Sequence, residues 1–125
     1  MKDGAEQMDV SVLVVDDDEA VRQVTSEMLK KLEYQITCAN GGQEALDKLD
    51  QESFDIVLLD VGMPVMSGVE AYSHMRQRLP DQDIVFMTGY SKEEISGLDN
   101  DHTWILPKPF SLQQLSAILA DVNPA

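Results

Sequence analysis

Val12-Leu13-Val14-Val15 is an apolar run that stops at three contiguous acids, Asp16-Asp17-Asp18. Three more runs behave alike. Ile56-Val57-Leu58-Leu59 ends in Asp60, Ile84-Val85-Phe86-Met87 ends in Thr88-Gly89, and Trp104-Ile105-Leu106 leads into Pro107-Lys108-Pro109. Runs this short and rich in Val and Ile read as buried strands rather than helices. With a fifth run at 35–39 they alternate with amphipathic stretches, which predicts an α/β fold: a five-stranded parallel sheet with helices on both faces. If the strands are parallel, every polar group that ends one surfaces at the same sheet edge, where open α/β folds bind ligands.

The helical stretches are marked by periodicity and caps. Val21, Val24, Met28, Leu29 and Leu32 recur at helical spacing, as do Leu112, Leu115, Ile118, Leu119 and Val122. Ala45, Leu46 and Leu49 mark another helix, and Val69, Tyr72, Met75 and Leu79 a further one. Ser91 with Glu94 and Ser111 with Gln114 form two capping boxes, so helices are expected to start there. The loop chemistry of 97–102 leaves the helix after Ser91 short. Residues 1–9 are polar and without periodicity and read as a flexible leader or linker, with one domain over 10–125.

At 125 residues the chain is long enough to build a core without staples. Its formal net charge of −14 opposes binding to nucleic acid and to anionic membranes. Apolar runs of at most four residues exclude membrane insertion by a helix, and a cytoplasmic location is expected. Cys38, the single cysteine, stands in an apolar stretch and is expected to be a buried structural thiol.

The acids at the sheet edge carry the chemistry. A lone Asp at a strand end is usually a cap or turn residue. Asp60, however, is followed by a Val-Gly-Met-Pro loop, and a second acidic cluster ends another strand. Carboxylates crowded in this way repel one another unless a cation joins them. Asp18 is read as the cap of the helix starting at Glu19, and Asp16 and Asp17 as Mg2+ ligands, since Mg2+ takes carboxylates, waters and phosphate oxygens. Contiguous acids without an alternating ligand pattern exclude an EF-hand. Lys108 would be an ordinary surface lysine but for its two flanking prolines, which aim it. Thr88 offers a hydroxyl at the same edge.

This ordered set, Val-Val-Asp-Asp-Asp-Glu, Leu-Leu-Asp-Val-Gly-Met-Pro-Val-Met-Ser-Gly, Met-Thr-Gly-Tyr and Leu-Pro-Lys-Pro-Phe, resembles the receiver domains of two-component response regulators from Val12 to about Val122. The resemblance implies a flavodoxin-like, doubly wound sheet of order 2-1-3-4-5. It implies that Asp60 accepts a phosphoryl group from a histidine kinase or histidine phosphotransfer domain, and that Mg2+ is held by Asp17, Asp60, the Gly62 backbone carbonyl and, through water, Asp16. Lys108 would pair with the phosphoryl oxygens, and Thr88 with Gly89 would respond to them. Such a domain is not an enzyme in its own right; it assists its own phosphorylation and slow dephosphorylation. The output is a changed partner contact, either a phosphorylation-dependent homodimer or an approach to a kinase core. The Leu-Pro-Lys-Pro-Phe-Ser ending and the linker-like start favour the receiver of a hybrid kinase over a stand-alone regulator.

One position departs from the family pattern. Ile105 stands where an aromatic switch residue is usual, with Trp104 facing the opposite side of the strand. Gly62 and Tyr90, two residues beyond the acceptor and the threonine, neither orient water nor leave it room, which predicts slow loss of the phosphoryl group. Rival readings fare worse. A dehalogenase-type phosphatase needs an Asp where Gly62 stands, and a flavin carrier needs a Ser/Thr-rich loop where three acids stand. A receiver-like module that only binds is expected to lack the acceptor or the lysine, and both are here.

Overall fold

The computed structural model describes residues 10–63, 66–89 and 102–122. Nine elements follow one another among these residues: β1 (Ser11–Val15), α1 (Glu19–Lys31), β2 (Gln35–Ala39), α2 (Gly42–Gln51), β3 (Ile56–Asp60), α3 (Gly68–Arg78), β4 (Asp83–Thr88), β5 (Thr103–Pro107) and α4 (Leu112–Val122). All strand pairs are parallel, in the order β2-β1-β3-β4-β5. The helix expected after Ser91, with its capping box, lies outside the described residues, as do the leader and Tyr90.

Strand alternation divides the core between the two faces of the sheet. Leu13, Val15, Val57, Leu59, Ile84 and Phe86 pack on one side against Ala45 and Leu46 of α2 and Ala71, Tyr72 and Met75 of α3. Val12, Val14, Ile56, Leu58, Val85 and Met87 pack on the other against Leu29 of α1 and Leu115, Leu119 and Val122 of α4. The three central strands, β1, β3 and β4, are therefore buried on both faces and read as continuous apolar runs. Each fully buried Leu, Ile or Phe contributes about 1.5–3 kcal/mol relative to exposure.

Two expectations need correction at the sheet's rim. β2 is an edge strand and is largely open to solvent, not buried. Cys38 on that strand is exposed, its Sγ lying 3.2 Å from the Ser26 hydroxyl of α1. Edge position and composition both contribute: β2 pairs with β1 alone among the strands, and its Gln35-Ile36-Thr37-Cys38-Ala39 mixes polar with apolar residues. On α1, likewise, Val24 is 52% exposed while Thr25 is buried.

The two expected caps within the described residues behave as read. Asp18 accepts hydrogen bonds from Ala20 N and Val21 N at the start of α1. Ser111 and Gln114 exchange reciprocal bonds of 2.8 and 3.1 Å at the start of α4. The Lys108–Pro109 peptide bond is cis.

Candidate functional site

The strand order creates a crevice where the chain, having run from β1 out to β2, returns to the other side of β1 to form β3. Register sets its contents. Val15 pairs with Leu59, so Asp16 and Asp60 stand side by side one residue further along. Asp60 pairs with Met87, and Thr88 with Pro107, which brings Lys108 level with the ends of β3 and β4. The crevice, of about 330 Å3, is lined by Asp16, Asp17, Asp18, Val21, Asp60, Gly62, Gly89 and Lys108.

The electrostatics centre on one ammonium. Lys108 Nζ donates to Asp60 Oδ1 at 2.9 Å and to Asp16 Oδ2 at 3.1 Å, with both carboxylates nearly buried. Burial pulls the lysine's pKa down, but the Asp60 hydrogen bond and the charges of Asp16 and Asp60 outweigh it, leaving the pKa above the ordinary value. Lys108 is anchored at its backbone too, where its N–H donates to the Thr88 carbonyl at 2.8 Å. Asp16 is tied on several sides: its N–H donates to Ala39 O, its Oδ1 accepts from Asp18 N, and its carbonyl accepts from Arg22 at 2.6 Å.

Asp17, by contrast, is exposed. Single carboxylate oxygens of Asp16, Asp17 and Asp60 lie within 4.8 Å of one another. This all-oxygen donor set, three carboxylates gathered at one sheet edge, is of the chemistry that would hold a hard divalent cation. Gly62 is exposed and lines the crevice beside them. Thr88 is buried at the end of β4 and is not among the lining residues; Gly89 is. Ile105 lies across from Phe86 in the β4–β5 register and packs against the cluster that holds Tyr72 and Phe86, while Trp104 faces the other cluster.

Two residues were not singled out from sequence. Arg22 looks like one more solvated charge on α1, and its reach back to the Asp16 carbonyl is visible only in three dimensions. Gly68 opens α3 with its N–H donating to Val61 O, and a Cβ there would collide with the Asp60 carbonyl and lie 2.6 Å from Val61 Cα. The missing side chain lets α3 press against the backbone that carries Asp60.

A family model described as the response regulator receiver domain matches residues 12–120 of this chain. The chain belongs to that family. Among curated relatives, the response regulator MprA of Mycolicibacterium vanbaalenii is 39% identical over 112 residues, covering 88% of this chain and 48% of the relative. MprA of Mycobacterium tuberculosis is 38% identical over the same length. The chain thus spans about half the length of the curated relatives it matches. Among solved structures, the receiver domain is similar to chemotaxis protein CheY4 of Vibrio cholerae, with 32% identity and a TM-score of 0.83 over 90% of this chain and 98% of that one. It is also similar to the response regulator TrrA of Thermotoga maritima, described in complex with Mg2+ and BeF, with 31% identity and a TM-score of 0.80 over 90% and 98% of the two chains. The receiver is accordingly a phosphoacceptor signalling domain of a two-component system, with the doubly wound fold of its relatives. No helix among the described residues is long and apolar enough to cross a membrane.

Proposed function

We propose that Asp60 is the phosphoacceptor, and that Asp16, Asp17, Asp60 and the Gly62 carbonyl hold Mg2+. The observation that carries this reading is the convergence of Lys108 on Asp60 and Asp16, with the Asp17 carboxylate beside them in one crevice. When bound, Mg2+ supplies charge neutralisation between the acids and the incoming phosphoryl oxygens. The chain's own residues do the rest. Asp60 presents an oxygen at the mouth of the switch-point crevice, on the rigid end of a strand buried on both faces. This oxygen bonds to phosphorus as the P–N bond of a phosphohistidine breaks, and the imidazole leaves with the bonding pair and takes up a proton. Lys108 moves with the charge, from two carboxylates to the new phosphoryl oxygens, and Thr88 with Gly89 follows at the end of β4.

The donor is a histidine kinase or a histidine phosphotransfer domain, and the domain acts in the cytoplasm without nucleic acid or membrane. Whether its setting is a hybrid kinase or a regulator like its relatives, the transfer is the same. The alternative, a module that binds partners without phosphorylation, leaves the paired lysine and acceptor unexplained. Incubation with a small phosphodonor and Mg2+ should add one base-labile phosphoryl group, absent in Asp60→Asn and in EDTA. Label retained by Asp60→Asn would sink the assignment.

Loss of the group should be slow, because Gly62 has no side chain to orient water and Tyr90 is bulky enough to shield the phosphorus. A phospho-Asp60 half-life that lengthens in Tyr90→Ala would contradict the shielding.

A further inference from the structure

The acidic turn after β1 raises a question of its own. Asp17 is exposed and stands between two residues that are firmly held. Asp16 is fixed through its N–H, its carbonyl and both carboxylate oxygens. Asp18 is fixed by its cap bonds and by the Arg22 N–H, which donates to its carbonyl at 3.0 Å. The direction of Asp17 therefore depends on the two peptide planes that flank it. Among the described residues, what holds the Asp16–Asp17 plane is the bond from the Arg22 guanidinium to the Asp16 carbonyl at 2.6 Å. Arg22 is half-buried, stands among Asp16, Asp17, Asp18 and Glu19 in sequence, and makes no ion pair among the described residues. A guanidinium with four acids close by in sequence that grips a backbone carbonyl instead serves geometry before charge.

We infer that Arg22 is a positioning residue for the divalent cation: it clamps the Asp16–Asp17 peptide so that the Asp17 carboxylate is aimed before the metal arrives. This rests on the metal reading above. Partners one shell out from a ligand typically change metal affinity 10–100-fold. The two explanations of Arg22 have opposite signs. Removing a nearby positive charge alone strengthens Mg2+ binding, whereas removing the clamp weakens it, because Asp17 must then be ordered by the metal itself.

The test is a Mg2+ titration of the full chain followed by backbone amide NMR, on wild type, Arg22→Met and Arg22→Lys, with thermal unfolding of each in EDTA. Arg22→Met keeps the stem and loses charge and donor. It should bind Mg2+ about tenfold more weakly, and its Asp17 and Asp18 amides should shift or broaden already in EDTA. Arg22→Lys keeps the charge with a shorter, single donor and should fall between the two; it carries the test alone if Arg22→Met does not fold. Unchanged or tighter Mg2+ binding in the folded variants, alongside normal wild-type binding, overturns the inference. Absence of Mg2+ binding in wild type overturns the metal reading instead, and this inference with it.

Discussion

Lys108 shows how much one residue can be asked to do. Its ammonium bridges two nearly buried acids, and its side chain is still 25% exposed at the crevice mouth. Its folded pKa is raised, because the Asp60 bond and the two carboxylate charges outweigh burial. From neutral pH up to the ordinary 10.5 its stabilising contribution is therefore complete, and it is lost as pH rises through the higher folded value. Lys108→Met should abolish the response to phosphorylation and lower stability in EDTA by less than the ~3–5 kcal/mol of a fully buried broken pair. Millimolar Mg2+ should restore much of that loss, since a cation again separates Asp16 from Asp60. Thermal unfolding with and without Mg2+ checks both points; a loss that Mg2+ does not touch would show that the lysine stem, not its charge, matters. Asp60, Asp17 and Lys108 were legible in the sequence because each follows an apolar run, and a strand end needs only local pattern to be found. Arg22 was not, because a side chain reaching a backbone carbonyl six residues earlier leaves no pattern in composition or periodicity.

The elements were legible where caps and double-sided burial coincide, and less so at the edges. β1, β3 and β4 read correctly as buried runs, since both faces of each are covered by helices. β2 did not, because it is an edge strand whose run is diluted by Gln35 and Thr37, and Cys38 on it is exposed. The two helix starts nearest in chemistry make a useful contrast. Ser111 caps α4, remote in role from the crevice, and Ser111→Ala should cost about 1 kcal/mol, roughly 3–5 °C in Tm, while phosphorylation proceeds at the wild-type rate. Gly68 begins α3 against the backbone of Asp60 and Val61. Gly68→Ala must push that backbone away, since no flexible side chain is there to yield, and should cost about 1–3 kcal/mol. Unlike the cap variant, it should also slow phosphorylation of Asp60 several-fold, because small misplacements of a reacting group are expensive. Parallel measurements of Tm and of labelling rate separate the two. Equal labelling rates in Gly68→Ala and wild type would show that the contact supports stability alone.

At the scale of the whole molecule the charge sets what the domain can touch. With 23 acidic against 9 basic side chains, its net −14 gives it the same sign as a phosphate backbone. Counterion release, the term that supplies most non-specific affinity for DNA, requires the opposite sign. Phosphorylation does not change this: an acyl phosphate carries about −1.5 to −2 but replaces a carboxylate that already carries −1, so the domain gains about −1 at most, which a bound cation offsets at the same place. The phosphorylated state must then be read through local shape, at the crevice and the end of β4, rather than through a long-range field. The isolated domain should therefore fail to retard duplex DNA even at low ionic strength, and should fail equally with Mg2+ and a phosphoryl mimic bound. A gel shift that is present at 50 mM salt and vanishes by 200 mM would reveal a basic contact stripe that the described surface does not suggest, and would overturn this expectation.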